Sequence, residues 1–194
     1  MKLYYSPSSP FARKVLACAM ARGIDDKISL VTIAASAPEV AAHNPLGKIP
    51  CLVTDDNTAL YDSRVICAYL EGVGEGFPMF PDHGLRIQAL KYQALGDGIC
   101  DAAVLRRGEM GRAKDADRDT VIAAQKTKVA RALDALEADV PPVTLNIGSI
   151  ALACALGYLD LRYADEPWRE GHPLLAAWYN EIITRPCLAQ TMPG

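Results

Sequence analysis

The stretch Ser8-Ser9-Pro10-Phe11 sets two hydroxyls directly ahead of a helix-forming run. Three kinds of role suit such a pair. A serine nucleophile needs a base beside it, and the three histidines, His43, His83 and His172, are scattered along the chain. A helix cap needs only the serine: with Pro10 at the first helical position, Ser9 is the N-cap, and its loss costs about 1 kcal/mol. The third role is a seat for a thiolate that the chain borrows. The start of a helix offers free N–H groups and roughly half a positive charge, and a hydroxyl adds a charge-assisted hydrogen bond to a sulfur anion. Lowering a thiol by about two units from its usual pKa near 8.5 takes roughly 2.7 kcal/mol of preference for the anion, which a helix end and one donor can supply. Cap and seat share one geometry, so the residues alone leave both open.

Other residues invite similar pairs of readings. In Lys48-Ile49-Pro50, proline removes a backbone donor and restricts Ile49; an ordinary trans proline opening an edge strand and a surface Lys48 are the plain account. Ser63 precedes an apolar helical run and reads as an N-cap, whose free N–H groups can also take an anion. Asn146 and Ser149 form a capping pair ahead of a second apolar run. Asp97, Asp101 and Arg106 fall near one face of a helix, either lining a pocket or forming a solvated face. Tyr4 and Tyr5 read as packing residues of a strand, and Trp168 as core.

The elements that must position these groups follow from periodicity. Lys2–Tyr5 has strand character. A helix runs from Pro10 to about Arg22 and stops at Gly23. Ile28–Ile33 is alternating and β-branched, completing a βαβ unit with parallel strands. A weak helix or loop covers Glu39–His43. Cys51–Thr54 and Thr58–Tyr61 are short strands joined by a turn at Asp55-Asp56-Asn57. A helix starts at Ser63 and ends at Gly72. The Gly/Pro-rich stretch from Gly72 to Gly84 is a connection, and no convincing strand follows it. Helices are expected over Leu85–Arg107, Arg118–Asp139, Ser149–Tyr163 and Pro173–Thr184, with the charged Arg106–Asp119 stretch as a solvated turn between the first two.

Composition narrows the classes. The chain has 194 residues, a net charge of -3 and no polybasic run, which gives no support to a nucleic-acid or anionic-lipid partner. The longest apolar stretch, Ile147 to Leu159, is too short for a bilayer and reads as a buried helix, so no membrane partner is expected. Six cysteines, Cys18, Cys51, Cys67, Cys100, Cys154 and Cys187, contain no C-x-x-C, which excludes a zinc ribbon and a redox dithiol; free buried thiols fit a reducing compartment. With no secretory apolar region at the N-terminus, a cytoplasmic location is expected. No P-loop or G-x-G-x-x-G is present, and neither metal nor nucleotide is implied.

Taken together, SSPFARKV (8–15), NPLGKIPCL (44–52), YDSRVICAYL (61–70) and HPLLAAWYNEIITRPCLAQT (172–191) resemble the cytosolic glutathione transferase family over essentially the whole chain. The likeness is to small bacterial members with a Ser-Pro-Phe start. It implies an α/β thioredoxin-like domain over residues 1–76, a connection over 77–84, and an all-α domain over 85–194, assembled as a homodimer. Glutathione is the implied co-substrate, and a small hydrophobic electrophile the implied partner in the reaction. The catalytic hydroxyl maps to Ser9 by likeness to plant-type relatives and to Ser8 by likeness to insect and theta-like ones; Ser9 is favoured. In omega-like relatives a cysteine stands at Ser9's place, so thiol-transferase chemistry is disfavoured. The resemblance makes the Ile49-Pro50 bond cis, turns the Ile49 N–H and C=O toward the ligand, and puts Lys48 beside the glycine carboxylate. Ser63 would hold the γ-glutamyl carboxylate and Asp62, shorter than the usual Glu or Gln, its ammonium; Phe11 joins the glutathione site. The implied activity is conjugation in a detoxifying transferase. A glutathione-dependent isomerase, dehalogenase or peroxidase, or a non-catalytic glutathione-binding stress protein, are the alternatives.

Overall fold

The computed structural model describes residues 1–33, 37–82 and 84–193. His83, one of the scattered histidines, and part of the expected 77–84 connection lie outside the described residues.

The first half forms a four-stranded sheet in the order β2-β1-β3-β4. β1 (Lys2–Tyr5) leads into α1 (Pro10–Ala21), and β2 (Ser29–Thr32) returns parallel to β1 after a short 3-10 turn at Asp25–Lys27. A parallel return needs a crossover, and α1 supplies it. α2 is a single turn, Pro38–Ala41. β3 (Cys51–Val53) runs antiparallel to β1, and β4 (Ala59–Leu60) antiparallel to β3. Leu3 stands opposite both Leu30 and Leu52, so the sheet is centred on a fully buried leucine. The turn between β3 and β4 closes at Thr54–Thr58, with Asn57 at φ 64°, a conformation asparagine tolerates. α3 (Ser63–Val73) packs against α1.

The second half is helical: α4 (Gly84–Met110), α5 (Ala116–Ala138), α6 (Ile147–Arg162), α7 (Pro173–Ile182) and the short α8 (Pro186–Ala189). The expected βαβ-ββα followed by helices is the observed order. α6 is its centre, buried at every position from Ile147 to Leu159. A helix apolar on all sides must be covered on all sides. Gly96 lets α4 come close: a Cβ there would lie 2.7 Å from the Ala151 carbonyl carbon. Asn146 and Ser149 do form a capping box, with the Asn146 side chain accepting from the Gly148 and Ser149 N–H groups and Ser149 Oγ accepting from the Asn146 N–H.

The charged stretch after Arg106 differs from the expected turn. α4 continues to Met110, and α5 opens at Ala116 with Asp115 as its cap, the carboxylate accepting from the Arg118 N–H at 2.7 Å. Arg106 lies inside that longer helix. Its guanidinium is buried over the Tyr163 ring and paired with Glu166, which ties the end of α4 to the chain beyond α6.

Candidate active site

A cleft of about 650 Å³ opens where the ends of the sheet meet α4 and α6. Ser8, Ser9, Phe11, Lys48, Ile49, Pro50, Asp62 and Ser63 all line it. Residues up to 55 positions apart in the chain therefore converge on one cleft.

The two serines are not equivalent. Ser9 is the N-cap of α1: its Oγ accepts from the Ala12 N–H at 3.2 Å, and its own N–H reaches the Ser6 carbonyl at 3.0 Å. Accepting that bond leaves the Ser9 proton free to donate. Pro10 carries no N–H, so Phe11 presents the first backbone donor of the helix, uncommitted among the described residues. Ser8 Oγ instead faces Ser6 Oγ at 3.4 Å. A cap and an anion seat are compatible in Ser9, because a cap uses the lone pair and an anion would use the proton. Tyr4 is elsewhere, its hydroxyl 3.2 Å from His43 Nε2.

Across the cleft, the Ile49-Pro50 bond is cis. The Ile49 N–H and C=O take no partner among the described residues, so one donor and one acceptor stand ready for an extended ligand. The loop carrying them is held by Asn44, the first residue of the NPLGKIPCL stretch. It is buried, its Nδ2 donates to the Lys48 carbonyl at 2.7 Å, and its Oδ1 accepts from the Leu46 N–H at 3.0 Å. Lys48 itself is exposed at the rim.

At α3 the cap is one residue earlier than expected. Asp62, not Ser63, is the N-cap, its Oδ1 accepting from the Arg64 N–H at 2.8 Å. An aspartate just ahead of a helix satisfies its free N–H groups as well as a serine does. Ser63 becomes the first helical residue, buried, with hydroxyl and N–H both uncommitted among the described residues.

The aspartates of α4 divide. Asp97 is no solvated residue: it is buried, bonded to Lys14 Nζ at 2.6 Å and to Arg64 Nε at 2.7 Å. Burial works against the Lys14 charge, but Cys67 and Asp97 more than restore it, and the ammonium is held above its ordinary pKa. Arg64 is pushed up mainly by its hydrogen bond to Asp97. Asp101 does line the cleft; burial and then the Asp97 charge raise its carboxyl, with Arg64 and Lys48 opposing. Arg106 points away to Glu166, and Trp168 is core, as expected. From the helical half, Val104, Leu105 and Tyr158 complete the wall. A spacing of three and four from Asp101 was the available signal for the first two.

All six cysteines are free and buried, and no group of three or more potential metal ligands occurs among the described residues. No helix among the described residues is long and apolar enough to cross a membrane.

Two family models match the chain: the N-terminal domain of glutathione S-transferase over residues 8–73 and its C-terminal domain over residues 119–181. Among curated proteins, the uncharacterised GST-like protein YibF of Escherichia coli K12 is 33% identical over 199 residues, covering 100% of this chain and 98% of that one. A glutathione transferase family member from Pseudomonas fluorescens Pf-5, solved with bound glutathione, is 40% identical with a TM-score of 0.94, over 100% of this chain and 98% of the other. A glutathione S-transferase from Methylobacillus flagellatus KT, solved with glutathione bound, is 38% identical with a TM-score of 0.90, over 100% and 99%. A capped α1 facing an unpaired Ile49 backbone and an open α3 start, in a chain so similar over its full length to these proteins, places it in the glutathione S-transferase family.

Proposed function

We propose that the chain is a bacterial transferase with a Ser-Pro-Phe start that ionises the glutathione thiol at Ser9 and directs it at a small hydrophobic electrophile. One observation carries this reading: the free Ser9 proton and the Phe11 N–H face the same cleft as the unpaired Ile49 backbone and the open Ser63. Glutathione is an extended tripeptide with an anion at each end and a thiol between them. The Ile49 groups pair with its cysteinyl backbone, Lys48 meets the glycine carboxylate, and Ser63 with Asp62 receives the γ-glutamyl end. The sulfur then falls at the start of α1, where the helix field and the Ser9 hydroxyl favour the thiolate. Ionisation and positioning are the catalysis; no covalent intermediate with the protein is needed. Glutathione bound in the Pseudomonas and Methylobacillus relatives supports the co-substrate.

Residues 1–76 serve as the glutathione-binding unit and 85–194 as the helical unit that receives the electrophile. Exposed Val65 and Val73 on α3, and Leu85 and Ile87 on α4, support a homodimer formed across these helices. Unpaired thiols support a cytoplasmic location. The test is turnover: purified chain with glutathione and an aromatic halide should consume thiol well above the uncatalysed rate. Glutathione binding without turnover of any electrophile would favour a binding module instead.

A further inference from the structure

Two different devices hold the parts of the cleft. The starts of α1 and α3 are tied together by buried ions, with Lys14 and Arg64 both on Asp97. The loop that carries Lys48 and Ile49 has no such anchor. It runs between α2 and β3 with no helix or strand of its own. Pro45, Leu46 and Lys48 are exposed, and Gly47 and Ile49 are only half-buried. A segment that buries so little gains little from the hydrophobic effect, so hydrogen bonds must set its shape.

Those bonds converge on Asn44, which is 2% exposed. Its Nδ2 donates to the Lys48 carbonyl at 2.7 Å, and its Oδ1 accepts from the Leu46 N–H at 3.0 Å. Its own carbonyl accepts from the Gly47 N–H at 2.8 Å, where φ of 62° turns the chain back. Every hydrogen bond that residues 45–49 make among the described residues goes to Asn44. Asn44 is anchored from behind as well. Its N–H donates to the Val40 carbonyl at 2.7 Å, and the preceding His43 sets Nε2 3.2 Å from the Tyr4 hydroxyl of β1.

We propose that Asn44 is a positioning residue that presets the Lys48–Ile49 backbone for the tripeptide, and that it governs glutathione affinity separately from thiol ionisation at Ser9. This role rests on the glutathione reading above. The Lys48 carbonyl and the Ile49 N–H share one trans peptide plane and point in opposite directions. A carbonyl drawn to Asn44 therefore turns the Ile49 N–H away from Asn44 and leaves it open to a ligand. Without that bond the loop must be ordered as the ligand binds, and affinity falls. Once glutathione is bound, its sulfur meets the same start of α1, so ionisation and turnover are unaffected.

The experiment compares the wild type with Asn44→Ala and Asn44→Ser. Serine can make the same local turn bond toward Leu46 but is too short to reach the Lys48 carbonyl, so it carries the test if the alanine variant fails to fold. Glutathione affinity is read by calorimetry, KM and kcat with an aromatic halide, and the thiol pKa by ultraviolet titration at saturating glutathione. Kd and KM for glutathione should rise about five- to tenfold, while kcat and the bound thiol pKa keep their wild-type values. Trypsin should also cut after Lys48 sooner in the variants, and saturating glutathione should slow that cut. Unchanged affinity, or a bound thiol pKa that rises as it does when Ser9 is removed, would overturn the role given to Asn44. A wild type that binds no glutathione would overturn the glutathione reading itself.

Discussion

Lys14 Nζ lies 2.6 Å from Asp97 Oδ1, and both side chains are buried. The pair joins α1, whose start faces the proposed thiolate, to α4 of the helical half. Through its second oxygen Asp97 also holds Arg64, the residue after Ser63. One carboxylate thus fixes both helix starts that the glutathione reading uses against a common partner.

Removing that carboxylate should be severe. Asp97→Ala leaves Lys14 buried without its carboxylate partner and is expected to cost about 3–5 kcal/mol, read as a lower urea midpoint. Replacing both ends with apolar residues, Lys14→Met with Asp97→Leu, should recover most of that loss. If the double variant is as unstable as the single one, the cost lies in packing and not in the orphaned charge.

Close helix packing gives a second expectation. A Cβ at Gly96 would lie 2.7 Å from backbone of Ala151, and one at Gly148 would lie 2.5 Å from the Ala89 carbonyl oxygen. Backbone cannot swing aside as a side chain can. Gly96→Ala and Gly148→Ala should each destabilise by about 1–3 kcal/mol in chemical denaturation. Gly98→Ala on the same helix, where nothing lies within 4 Å of the added carbon, should be neutral or stabilising.

Asp101 supplies a pH dependence. Its carboxyl is raised by burial and by Asp97, so folding favours the protonated form. Its favourable contribution is complete below the ordinary carboxylate pKa near 4 and is lost as pH rises through the raised value. Asp101→Asn should therefore be more stable than the wild type at neutral pH, by no more than about 1 kcal/mol because solvent screens the group. The difference should shrink when melting is repeated below about pH 4. A gap that grows on acidification would contradict the sign.

The order of elements was legible because α1, α3 and α6 announce themselves locally, by Pro10, by the apolar run after Ser63, and by the Asn146 capping box. The cleft residues were legible through motif likeness, since Ser9, Ile49 and Ser63 are brought together only by the sheet. Asp97 was not, because a carboxylate on a long helix reads as solvated until its cations, 83 and 33 positions away, are seen. Arg106 was hidden for the same reason, its Glu166 partner lying 60 positions on. The Asp62 cap was missed by one residue, where aspartate and serine are near-equal candidates.

The most direct measurement is the ultraviolet titration of the thiol of bound glutathione in the wild type, Ser8→Ala and Ser9→Ala. The wild type should show a pKa well below the usual value near 8.5, retained in Ser8→Ala and raised by about one to two units in Ser9→Ala. An ordinary pKa in the wild type, or the same depressed pKa in Ser9→Ala, would contradict the role given to the start of α1.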